Sequence, residues 1–187
     1  MEDSDIKIFG KEQNSGNDEL KFIALMEKER SNGNIDEAVR LGDYLSDIFL
    51  DEEGLLQRLA PFIGNTDFPP DVLFQIKNLM FFTAENTIKL EFSNTILTSS
   101  AVNALYGNIK NGDSAFYTEF SDGAEYSFYY LAMRKESQSV ITEIGKAFAM
   151  LCGKENDQGF IDLGKRLFNL VSDEVADITN MFNFVEA

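Results

Sequence analysis

From Asp18 onward, apolar residues recur at intervals of three and four, the period of one helix face, and no run of strand length alternates convincingly. The pattern predicts an all-α fold, a compact bundle of about seven or eight helices. A first helix is expected from about Asp18 to Arg30, with Leu20, Ile23, Ala24 and Glu27 along its inner edge, stopped by Ser31-Asn32-Gly33. Asn34 then reads as the cap of a second helix, with Glu37 three residues on as its partner in a capping box. The inner face of that helix reads Ala38, Leu41, Gly42, Leu45, Ile48, Phe49. Leu55 to Ala60 predicts a short third helix ahead of Pro61, and Phe68-Pro69-Pro70-Asp71 starts a fourth near Val72.

Val72 to Phe92 is apolar on nearly every side, as a helix enclosed by others must be, and marks the buried centre of the bundle. A fifth helix is expected from about Asn94 to Lys110. Asp113 caps a sixth that bends at Ser121-Asp122-Gly123, Ser139 begins a seventh ending at Gly153, and the last runs from near Asp157 toward Phe182. Residues 1–17 read as a flexible N-terminal arm with one apolar patch at Ile6, Ile8 and Phe9. Residues 18–187 read as a single helical domain.

Three helices place a glycine on the core face in the same setting: Ala38-Leu41-Gly42-Leu45, Ile141-Ile144-Gly145-Phe148 and Phe160-Leu163-Gly164-Leu167. A mid-helix glycine costs roughly 1 kcal/mol relative to alanine. Three of them predict notches into which another backbone or a ring packs closely. The segment Gly33-Asn34-Ile35-Asp36-Glu37-Ala38 resembles the start of a tetratricopeptide helix, but one repeat length later Asp67 and Val72 replace the glycine and alanine, so no repeat array follows.

Charge adds the next constraint. The formal net charge is -16, about twice the ~8 that suffices for solubility in a small domain. Residues 1–60 carry 15 acids and 7 bases, residues 61–112 carry 4 and 3, and residues 113–187 carry 13 and 6. A near-neutral middle between acidic ends fits a buried layer wrapped by acidic helices. The only basic clusters are Arg134-Lys135 and Lys165-Arg166, too few to neutralise a run of phosphates, which argues against direct nucleic-acid binding and against anionic membranes. The single cysteine, Cys152, and an acidic start at Met1-Glu2-Asp3 point to the cytoplasm.

The chain has no histidine, which removes the Ser-His-Asp triad, the Cys-His dyad and histidine-ligated metal sites. No phosphate-cradling glycine loop replaces them. Cys152, at the end of an apolar helix, reads as a buried structural thiol. The remaining catalytic route is carboxylates holding a hard divalent cation, and Asp43, Asp47 and Asp51, one turn apart, are the weak candidates.

The densest signal is Phe116 to Tyr130, with seven aromatic rings in fifteen positions and Glu119, Asp122 and Glu125 among them. One helical stripe cannot bury all seven, and tyrosine beside charge is the composition of a binding surface. Tyr117, Glu119, Asp122, Glu125, Tyr126 and Tyr129 are therefore the candidate partner-binding residues. These features predict a non-enzymatic, acidic protein-binding module that needs no cofactor and engages a protein partner with a basic surface. Its sharper form is an inhibitor acting as a DNA mimic on a nucleic-acid-binding surface, in the manner of phage-encoded antagonists of defence or CRISPR systems. A metal-dependent enzyme using Asp and Glu ligands, or a structural, homo-oligomer-forming bundle, are the alternatives.

Overall fold

A computed structural model describes residues 15–64, 67–134 and 140–185. Among them lie nine α-helices and no strand: α1 (Ser15–Ser31), α2 (Asn34–Leu50), α3 (Glu52–Ile63), α4 (Pro70–Glu91), α5 (Thr95–Gly112), α6 (Ser114–Asp122), α7 (Glu125–Arg134), α8 (Val140–Leu151) and α9 (Gln158–Thr179). The predicted all-α bundle is what the chain forms. The ninth helix arises where the expected bend becomes a break: Gly123 takes an extended conformation (φ -78°, ψ 164°), and α6 and α7 are separate rods.

α4 is the predicted central helix. Ile76, Leu79, Met80, Phe81, Phe82, Ala84 and Ile88 are all buried, on several sides of the rod. α9 packs along it, α5, α7 and α8 touch it elsewhere, and α2 lies against α5. Polar positions on so buried a helix have to be satisfied locally. Thr83 Oγ1 donates to the Leu79 carbonyl at 2.7 Å, and the Thr87 and Ser172 hydroxyls meet 3.1 Å apart between α4 and α9.

All three core glycines sit at close approaches. A Cβ on Gly42 would strike the Ala101 carbonyl oxygen and come within 2.8 Å of the Ala104 Cβ, so α2 and α5 cross backbone to backbone. On Gly145 it would strike the Ile161 carbonyl of α9, and on Gly164 it would sit 2.8 Å from the Cβ of Phe148. The last two notches interlock α8 with α9, which a short turn joins as a helical hairpin closed by Gly153 at φ 66°.

Several local expectations need correction. Pro61 does not follow α3 but lies inside it. The helix runs on to Ile63, where Gly64, at φ 80°, donates its N–H to the Ala60 carbonyl at 2.9 Å. The capping box at Asn34 does not form, because Gly33 (φ 78°) precedes the helix and the Asn34 side chain turns away to Glu29 and Val185. Glu37 instead accepts from Arg40 at 2.6 Å. The inner edge of α1 is also not the predicted one: Leu20, Ile23, Ala24 and Glu27 are exposed, while Glu29 is buried and Met26 half-buried. Polar tethers set the rotation of that helix. The Glu29 carboxylate accepts from Asn34 Nδ2 at 2.6 Å and Asn94 Nδ2 at 2.8 Å, which locks the opposite face inward.

The arm predicted over residues 1–17 lies outside the described residues up to position 14, whereas residues 15–17 already belong to α1.

Candidate functional site

The aromatic segment folds as a two-rod corner. Asp113 accepts from the Phe116 N–H at 3.0 Å and caps α6, and the break at Gly123 lets α7 set off in a new direction. Two short helices present more inward faces than one stripe would, so most of the rings turn into the bundle. Phe116 stacks on Phe120 at 5.7 Å and meets Phe81 of α4 at 5.5 Å; Phe120 meets Tyr126 edge-on at 4.7 Å; Phe82 of α4 faces Tyr129 at 5.1 Å. Phe128 and Tyr130 are left exposed.

The six predicted binding residues therefore divide. Glu119 and Asp122 are exposed at the end of α6, and Tyr117 is half-buried with the Lys110 ammonium 5.8 Å from its ring centre. Tyr129 is fully buried, and the Tyr126 hydroxyl is turned inward against Tyr106, 2.8 Å away. Neither of these two phenols reaches a partner. Burial drives both pKa values well above the usual tyrosine value, helped by Tyr106 for Tyr126 and by Cys152 and Glu125 for Tyr129. Glu125 is half-buried and keeps one carboxylate oxygen without a hydrogen bond.

The structure assembles a polar node that sequence reasoning missed. Glu85 of α4 accepts hydrogen bonds from Tyr106 of α5, from Tyr130 of α7 at 3.1 Å and from Lys89 one turn along α4. Tyr106 passes the network to Tyr126, and Lys89 also donates to Tyr130 at 3.2 Å. Burial and the Glu85 charge hold the Tyr106 phenol far above its usual value. Burial pulls the Lys89 ammonium down, but hydrogen bonding and attraction to Glu85 and Tyr130 outweigh it, and its pKa lies above normal. Phenols kept neutral and an ammonium kept charged supply hydrogen-bond donors, not a base or a nucleophile. The node's single legible sign was Glu85 and Lys89 one turn apart on α4; nothing in the sequence placed Tyr106 beside them.

The aspartate ridge comes apart. Asp43 is half-buried and accepts from Asn108 Nδ2 of α5 at 2.7 Å, Asp51 lies beyond α2 and caps α3 by accepting from the Gly54 N–H at 3.1 Å, and Asp47 faces solvent. Among the described residues no three acidic or thiol side chains stand close enough to hold a metal ion. Cys152 is buried, and burial, with Asp71 nearby, pushes its thiol up to about 12.

A cleft of about 580 Å³ lies between α7, α8 and the start of α9. Phe128, Leu131, Met150 and Ile161 form its apolar walls, and Glu143, Lys146 and Glu155 stand on its rim. Lys146 is taken by Glu143 at 2.7 Å, and Glu155 is exposed. Phe128 lies one turn along α7 from Glu125, while Glu119 lines a separate concavity with Phe74, Lys77 and Asp113 between α4 and α6.

The fold and these surfaces define the class: an all-α helical bundle in which no described helix is long and apolar enough to cross a membrane. Comparison with protein-family models, with curated proteins and with solved structures finds no match.

Proposed function

We propose that this protein is a non-enzymatic binding module that docks the basic surface of another protein through its α6–α8 side. The observation that carries the reading is the cleft at Phe128 and Leu131 with Glu143 and Glu155 on its rim, together with Glu119 and Asp122 exposed on α6, in a chain of net charge -16. Apolar walls supply affinity, and exposed carboxylates favour cationic partners and speed their approach. The absence of histidine and the protonated state of the buried phenols support a binding role over a catalytic one. In its sharper form the partner's basic surface is one that otherwise holds nucleic acid, and the module competes with it.

The test is affinity capture with the immobilised chain beside two variants, Leu131→Asp and the pair Glu119→Gln with Asp122→Asn, followed by competition of the captured protein with a labelled DNA duplex. A partner lost to both variants, and displaced by the duplex, supports the reading. A partner retained by both removes it, and one that ignores the duplex removes the sharper form alone.

A further inference from the structure

We infer that α1 is a self-association helix, pairing antiparallel with α1 of a second copy. Four large apolar side chains crowd its middle, with Leu20 67% exposed, Phe22 and Ile23 each 51% and Leu25 36%. They lie on both sides of the rod, so the contact with α2 along one edge leaves them uncovered. A helix apolar on so many sides is normally enclosed. Leu25 lines a groove with Phe92, Leu97 and Phe184, but Leu20, Phe22 and Ile23 remain half or more exposed.

Charge identifies a second copy as the occupant. The chain carries -16, and most of its surface repels another molecule of the same kind. α1 is different: with Glu29 buried, its exposed charges are Asp18, Glu19 and Glu27 against Lys21, Lys28 and Arg30, which sum to zero. They are also polarised, since Asp18 and Glu19 stand at the start, and Lys28 and Arg30 at the end. Two such helices laid antiparallel set acids against bases at both ends and oppose their macrodipoles side by side. Asp18 to Arg30 is about 20 Å long at ~1.5 Å per residue. Such a contact is smaller than the ~800 Å² per partner of a standard interface, so the dimer is weak and concentration-dependent. This inference is independent of the reading of the α6–α8 side.

Sedimentation equilibrium on the full chain tests it. The weight-average mass is expected to rise from 21.1 kDa toward twice that value between about 10 and 300 μM. Leu20→Glu with Ile23→Glu should hold the protein monomeric with an unchanged circular dichroism spectrum, because both side chains are exposed. Asp18→Lys with Glu19→Lys should weaken dimerisation about tenfold or more even though it lowers the overall charge, and adding Lys28→Glu with Arg30→Glu should restore it. The inference is overturned by a chain that stays monomeric at about 0.5 mM, by a dimer indifferent to Leu20→Glu with Ile23→Glu, or by failure of the charge exchange to restore association. A chain that dimerises only after removal of residues 1–14 also overturns it, because the arm would then be what covers α1.

Discussion

Asn34 binds both backbone groups of Val185 across 151 positions of sequence: the Val185 N–H donates to Asn34 Oδ1 at 2.8 Å, and Asn34 Nδ2 donates to the Val185 carbonyl at 2.9 Å. The same amide nitrogen reaches the buried Glu29 carboxylate at 2.6 Å. One side chain thus ties α1, the start of α2 and the C-terminal segment, where Phe184 also packs edge-on against Phe92 at 4.8 Å.

Asn34→Ala should therefore cost about 2–3 kcal/mol, because it leaves a buried carboxylate with one donor in place of two and strands the Val185 backbone. Denaturant unfolding measures the loss, and hydrogen exchange should show faster opening of both α1 and residues 180–185. A cost under about 0.5 kcal/mol, the size of an ordinary surface change, would mean that water replaces the amide without penalty.

Gly42→Ala should destabilise despite a helix-propensity gain of roughly 1 kcal/mol. The new methyl meets the Ala101 carbonyl and the Leu105 N–H on the α5 backbone, which no side-chain rotation relieves. Overpacking of this kind costs about 1–3 kcal/mol, so the net thermal midpoint should fall. Gly107, with nothing within reach of a Cβ, is the control and should gain stability as alanine.

The contrast between those two glycines marks what the sequence made legible. Periodicity located α2, α4, α8 and α9 and identified Gly42, Gly145 and Gly164 as notches, because burial repeats with the helical period and each notch reads from its own face. It failed on α1, where Leu20 and Ile23 look inward by spacing but hydrogen bonds from Asn34 and Asn94 to Glu29 rotate them out. It failed again at the node of Glu85, Tyr106 and Tyr130, whose members come from three helices and share no local pattern. Tyr126 and Tyr129 were misplaced because the break at Gly123 gives α6 and α7 separate inward faces, so rings that one stripe would have left outside found room inside.

Alkaline unfolding should be steep. In the unfolded chain tyrosines release their protons near pH 10, while Tyr106, Tyr126 and Tyr129 are held well above that in the fold. Below about pH 10 both states keep these protons, and the three phenols contribute no pH dependence. Above it the unfolded state releases them first, so stability falls as pH rises. Phenolate absorbance should show these three of the six tyrosines titrating only with loss of the helical signal. Titration of all six in the folded protein would contradict the buried placement.

Tyr129→Phe should raise the thermal midpoint. The hydroxyl of Tyr129 is fully buried and has no hydrogen-bond partner among the described residues, while its ring keeps its place against Phe82 without the oxygen. An unsatisfied buried polar group costs about 1–3 kcal/mol, and removing it with the ring intact returns part of that cost, so a gain of about 1 kcal/mol is expected. The small void left by one oxygen works in the opposite direction but holds less than a methylene's worth of contacts. Tyr126→Phe is the opposite case, since its hydroxyl pairs with Tyr106 and through it with Glu85, and its loss should destabilise by about 1–2 kcal/mol. The two substitutions delete the same atom one turn apart on the same helix, so a difference in sign between them isolates hydrogen bonding from burial. Should Tyr129→Phe lower the midpoint as much as Tyr126→Phe, the Tyr129 hydroxyl is bonded in solution, with a water molecule between it and Glu125 as the simplest arrangement.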